Sequence, residues 1–219
     1  MKERHGISQE VLKLIACLTM LIDHIGVVLF PNEILRIIGR IAFPIYCFLL
    51  VEGIHYTRNA KKYGLRLLIS VFLSELAFDL AFSGRIDWMH NNVMITLLLG
   101  FLAVQLIHCR TDIILKVLGV LMLALAGELL HSDYGCYGVF LIVLFDITRE
   151  LPYKRIFQFV GMLFLFYSLG GISIYAVLSI IPISFYSSRK TSHSKALQWA
   201  FYLFYPVHML VLYAIKIML

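Results

Sequence analysis

LKLIACLTMLIDHIG, residues 12–26, is an apolar run that carries Lys13 near its start and the pair Asp23-His24 near its end. Charge within hydrocarbon is costly and is rarely retained without a task. Eleven helical steps make about three turns plus about 20°, so Lys13 and His24 share one face, about 16 Å apart along the axis. The run follows the polar stretch MKERHGISQE and continues to Phe30 without a small-residue cleavage pattern, which reads as a retained span.

The rest of the chain is of the same kind. Of 219 residues, 61% are hydrophobic and 15% charged, against about 25% charged in ordinary soluble domains, and the mean hydropathy is +0.87. These values predict an all-α, polytopic membrane bundle. With about 20 residues to a span, helices are expected over 11–30, 34–56, 65–83, 93–109, 113–131, 134–148, 156–168, 171–186 and 197–217, about nine in all. Pro31-Asn32, Ser83-Gly84, the stretch 133–138, Leu151-Pro152, Gly170-Gly171 and the stretch 187–194 supply the breaks between them. No internal repeat or linker divides residues 1–219, which are expected to form one domain.

Basic residues orient the bundle. With the N-terminus cytoplasmic and the C-terminus outside, fifteen Lys and Arg, from Lys2 and Arg4 through to Arg189, Lys190 and Lys195, fall on the inner side against Arg85 and Lys216 on the outer. That asymmetry follows the positive-inside rule. The net charge of +6 therefore requires no nucleic acid. Anionic membrane lipid or an anionic cytosolic ligand is its expected partner. The four cysteines stand at long, unequal intervals and are read as packing residues, and the histidines lie on different helices without paired ligand spacing, so no metal is expected.

In this topology His24 and Arg40 both lie about 9 Å inside the outer boundary. Arg36 and Arg40 form a basic i,i+4 pair and Glu75 and Asp79 an acidic one at similar depth, which predicts two complementary ladders locking the helices. His208, Asn92, Thr96, Glu128, His131, Asp133 and Tyr134 join the same outer half. Glu52 and His55, one turn apart near the inner end, read first as an interfacial pair. Arg58, Lys61 and Lys62 read first as an inner loop, and with Arg66 they leave phosphate binding open.

Lys13 at the boundary suits a phosphate. A histidine in an apolar site tends to stay neutral, as a general base requires, and Arg40 at that depth could stabilise an oxyanion. Asp23 stands about 100° around the helix from His24, so Glu128 or Asp133 is the expected orienter of that imidazole.

The segments LKLIACLTMLIDHIG, LRIIGRIAFPIYCFLLVEG, TRNAKKYG, LSELAFDLAFSG, NNVMITLLLG, DYGCYGV and FYLFYPVHML, in this order, resemble the TraX family across most of the chain. That family is similar to integral membrane acyltransferases whose first helix carries a basic residue, ten positions and a histidine, matched here by Lys13 and His24. The resemblance implies acetylation of a pilin N-terminus at the bacterial inner membrane, with acetyl-CoA as donor. It makes His24 the expected base and Lys13 a contact for CoA phosphate. The wider catalytic set is Asp23, Arg40, Glu75, Asp79 and His208, and the wider donor-binding set is Arg36, Glu52, His55, Arg58, Lys61, Lys62 and Arg66. Acetylation of an envelope glycan or lipid, ion-coupled transport through the polar layer, and a non-catalytic role in pilin assembly are the alternatives.

Overall fold

A computed structural model describes residues 6–86, 90–187 and 195–219, with backbone alone for 195–198. Lys2, Arg4, Arg189 and Lys190 and the side chain of Lys195, which enter the charge asymmetry, lie outside the described residues. The fold is all-helical, and the described residues pair as strands only at isolated bridges.

Helix α1 (Gln9–Val28) starts where Ser8 Oγ accepts the Val11 N–H at 3.3 Å. Asn32, after Pro31, opens α2 (Glu33–Gly39) by accepting from the Ile34 and Leu35 N–H groups. The expected single helix over 34–56 is broken at Arg40-Ile41, and α3 (Ala42–Tyr56) follows. Pro44 accounts for the break: it has no N–H for the Arg40 carbonyl, and its ring crowds that oxygen. Asn59 Oδ1 accepts the Lys62 N–H at 2.9 Å, so α4 (Ala60–Ser83) begins five residues before the expected start at 65. Lys61 and Lys62 therefore belong to its first turn and not to a loop.

Asn92 and Asp112 cap α5 (Val93–Ile107) and α6 (Ile113–Leu129), and α7 (Gly135–Ile147) and α8 (Lys154–Leu169) follow. The helix expected over 171–186 is instead a 3-10 segment (Gly171–Ser179) running into the short α9 (Ile180–Ser184). Gly170 and Gly171 enter it with φ of +82° and +57°, a left-handed turn that stops α8. The last helix, α10 (Lys195–Met218), contains Pro206.

Helix α1 packs among α2, α3 and α10, while α4 lies on α10 and α5, and α7 on α5, α6 and α3. Two glycines bring α2 against α1. A Cβ at Gly39 would stand 2.1 Å from the Asp23 Cβ, and one at Gly26 would stand 2.6 Å from the Leu35 Cβ. The segment before α1 is tied to the one after α9 by a parallel bridge between Ile7 and Tyr186, with Ile7 N–H on the Phe185 carbonyl at 2.9 Å and Ser187 N–H on the Ile7 carbonyl at 3.0 Å.

Polarity runs inside out. Phe72, Met122, Phe164 and Val207 are exposed, while His24, Glu52, Asp79, Asn92, Thr96, Asp146, Gln158 and His208 are buried. Among the described residues, Gln9–Val28, Glu33–Tyr56 and Trp199–Met218 are long and apolar enough to cross a membrane. An apolar outer surface over polar buried groups is the distribution that a lipid environment selects.

Candidate functional site

The polar centre of the bundle is a pair of histidines from the first and last helices. His24 Nδ1 lies 2.6 Å from His208 Nε2, and His208 Nδ1 lies 2.6 Å from the Phe204 carbonyl one turn earlier on α10. A carbonyl only accepts, so His208 Nδ1 carries the hydrogen. In a neutral ring His208 Nε2 is then an acceptor and His24 Nδ1 the donor. The chain thereby fixes His24 in the tautomer whose Nε2 keeps its lone pair. The rings are nearly parallel, 5° apart, and the edges of Phe82 and Tyr205 close around His24. His208, and neither Glu128 nor Asp133, is the orienting partner of His24; Glu128 Oε2 accepts the Cys136 N–H at 3.3 Å.

Asp23 faces the other way around α1, as the 100° step requires. Its carboxylate receives Arg36 Nε at 3.1 Å and Arg40 Nη2 at 2.6 Å. The predicted ladders are thus replaced by a clamp between α1 and α2. The reason is distance along the fold: α2 packs on α1, whereas α4 packs on α10 and α5. Glu75 accepts from the Asn92 side chain, and Asp79 is buried one turn further along α4. Arg40 also stands 5.7 Å from the Tyr134 ring, which stacks on Phe43 at 3.8 Å. In the loop before α7, burial pushes the Asp133 carboxyl up, with Arg40 the strongest opposing influence.

A cavity of about 330 Å³ runs between α1, α3, α4, α5 and α10. Lys13, Arg66, Tyr56 and Thr57 line one end and Met20, Met94 and Tyr205 the other. Lys13 Nζ sits 5.2 Å over the Phe201 ring. Arg66 lies over the Tyr63 and Tyr202 rings, and its buried Nε has no hydrogen-bond partner. Met20 precedes His24 by four residues and Tyr205 precedes His208 by three, so the cavity reaches to one turn from the histidine pair. Tyr205 touches both sides of that boundary.

The remaining candidates part company. Glu52 accepts Arg149 Nε at 2.8 Å and lines a second, polar cavity of about 390 Å³ with Arg149, Lys154, Arg155, Gln158 and Tyr186. His55 turns instead to Asp146, 2.8 Å away, so Glu52 and His55 do not form a pair. Arg58, Lys61 and Lys62 are exposed beside the start of α4 and line neither cavity.

A family model described as TraX protein matches residues 8–216. The chain belongs to the TraX family. This TraX chain is 33% identical, over 236 aligned positions covering 95% of both chains, to a Dichelobacter nodosus protein named probable fimbrial assembly protein FimC, serogroup H1. It is 34% identical over 93 residues to an uncharacterized protein of Rickettsia prowazekii (strain Madrid E), spanning 42% of this chain and 34% of that one. No solved structure matches it.

Sequence reasoning missed three features of this TraX chain. Tyr205 had a usable signal, since i,i+3 spacing puts it on the His208 face of α10. Arg149 and the grouping of Asp146 with His55 and His108 had none, because their partners come from helices far apart in the chain.

Proposed function

We propose that this chain is a multi-pass protein of the bacterial cytoplasmic membrane, with about nine spans in one domain, an inner N-terminus and an outer C-terminus. It transfers an acetyl group from cytosolic acetyl-CoA to the N-terminal amine of a pilin-like protein. The observation that carries the reading is the chain from the Phe204 carbonyl through His208 to His24, which leaves His24 Nε2 free to accept a proton. The cavity supports it from the donor side. Its volume suits the narrow acylated arm of the donor. Lys13 and the unpartnered Arg66 Nε would take phosphate at the mouth, and the exposed Arg58, Lys61 and Lys62 stand close in sequence to Arg66 for the nucleotide end. The printed name of the Dichelobacter relative supports a fimbrial acceptor.

In the reaction the acceptor nitrogen attacks the thioester carbon while His24 Nε2 removes its proton. The carbon–sulfur bond then breaks, and the imidazolium returns that proton to the departing CoA sulfur. His208 stabilises the imidazolium through its Nε2 lone pair, and Asp23 with its two arginines keeps α2 seated on α1. The products are an acetylated amine and CoA thiol.

The test is acetyl transfer by the protein purified in detergent, with acetyl-CoA and a synthetic pilin N-terminal peptide. Wild type is expected to acetylate the peptide and to be stabilised thermally by CoA, and His24→Ala to keep the stabilisation while losing turnover. Absence of CoA stabilisation in wild type overturns the reading, and cation-driven uptake in liposomes would replace it with transport.

A further inference from the structure

At the end of the bundle that carries Lys13, three helices place metal-ligating atoms together. His55 near the end of α3, His108 just after α5 and Asp146 near the end of α7 each offer one ligand atom, all within 4.8 Å of one another. His55 Nε2 is 2.8 Å from Asp146 Oδ1, and His108 Nε2 is 3.1 Å from Oδ2. The imidazoles cross edge to face, with centroids 5.4 Å apart.

We propose that His55, His108 and Asp146 bind a divalent transition-metal cation of the zinc type, which braces α3, α5 and α7. Two imidazole nitrogens and one carboxylate oxygen form a donor set that such ions accept, with a water completing the coordination. Ligand atoms at 2.0–2.2 Å around a tetrahedral ion stand about 3.4 Å apart, so the two N–O spacings of 2.8 and 3.1 Å would lengthen slightly, and the spacing between the imidazole nitrogens, within 4.8 Å, would adjust toward the same value. The Asp146 side chain is 2% exposed, whereas those of His55 and His108 are 25% and 52% exposed. A buried carboxylate held by two imidazoles lacks a full counter-charge, and the cation supplies it. The half-exposed histidines leave an entry path from water. On binding, each imidazole presents its Nε2 lone pair and carries its hydrogen on Nδ1.

The three ligands stand at positions 55, 108 and 146, so each closes a long loop, and the ion would join helices that the chain connects only distantly. Helix α3 also contributes Leu49, Leu50, Gly53 and Tyr56 to the main cavity wall. A brace at its end would therefore hold that wall in place. The inference rests on the ligand geometry and does not depend on acyl transfer.

Chelator-stripped full-length protein in detergent, titrated with zinc by calorimetry and with Co²⁺ by visible absorption, tests the site. One equivalent is expected to bind and to raise the melting temperature, with the Co²⁺ spectrum that of a nitrogen- and oxygen-ligated low-coordinate ion. His108→Ala and Asp146→Asn should each weaken binding by at least tenfold, and Cys109→Ser, beside His108 in sequence, should leave it unchanged. Failure of stripped wild type to bind an equivalent overturns the proposal without recourse to any variant. So does undiminished binding in both ligand variants, or loss of binding in Cys109→Ser alone.

Discussion

His208 Nε2 accepts the hydrogen of His24 Nδ1 at 2.6 Å because the Phe204 carbonyl holds the opposite nitrogen of His208 as a donor. One backbone oxygen on α10 thus decides which nitrogen of a histidine on α1 keeps a lone pair. His24→Ala should reduce acetyl transfer on the order of a hundred- to ten-thousand-fold, the usual range for losing a general base. His208→Ala should cost less and act through the base, shifting the acid limb of the rate–pH profile. Peptide acetylation followed by mass spectrometry across pH separates the two. An unchanged profile in His208→Ala would remove its orienting role.

Lys13 and Arg66 stand at the same end of the main cavity, away from the histidines. Lys13→Ala and Arg66→Ala should each raise the KM for acetyl-CoA about tenfold, the equivalent of about 1.4 kcal/mol, with a smaller effect on kcat. Salt should weaken wild-type CoA binding more than that of either variant. Calorimetric titration at two ionic strengths measures both effects. Losses confined to kcat would place these cations elsewhere in the mechanism.

The Asp23 clamp gives a stability prediction. Asp23→Ala strands Arg40, whose side chain is only 11% exposed, and should cost about 3–5 kcal/mol. Arg36, at 36% exposure, should add little. Gly39→Ala should act in the same direction, since its Cβ would enter the space of the Asp23 side chain. Thermal unfolding in detergent reports both. A melting temperature unchanged in Asp23→Ala would show the clamp to be without energetic weight.

The loop before α7 predicts a pH dependence. Burial raises the Asp133 carboxyl above its unfolded value, so the folded state holds this proton more tightly than the unfolded chain does. Its favourable contribution is complete below the unfolded value of about 3.9 and is lost as pH rises through the folded one. Asp133→Asn removes that loss, and its stability advantage over wild type should grow with pH across the window. Paired melting curves from acid to neutral pH check the sign. A shrinking advantage would mean that Arg40 outweighs burial at this carboxyl.

Helices and their breaks were legible because apolar run length and cap chemistry are local. Asn32, Asn92 and the glycines at 84 and 170 stand where a helix begins or stops, and each can be read without knowing the fold. The shared face of Lys13 and His24 was legible for the same reason. Pro44 was readable too, yet the apolar pattern over 34–56 continues through the break and hid it. Pairing between helices was another matter. Spacing along the helices set His24 and Arg40, and Arg36 and Glu75, at similar expected depths, but depth carries no information about azimuth. Arg36 and Arg40 therefore met Asp23 on the neighbouring helix, and His24 met His208 from the far end of the chain.

The pairing of Ile7 with Tyr186 fastens α1 at its start, and the contacts at Gly26 and Gly39 fasten it at its finish. The helix that carries Lys13 and His24 is therefore tied to its neighbours at both ends. α10 is built differently: Pro206 offers no N–H to the Tyr202 carbonyl, removing a rung two residues before His208. The missing rung falls between Tyr205, which lines the main cavity, and His208. The main cavity and the histidine pair thus share one helix tied at both ends and one whose backbone ladder is interrupted.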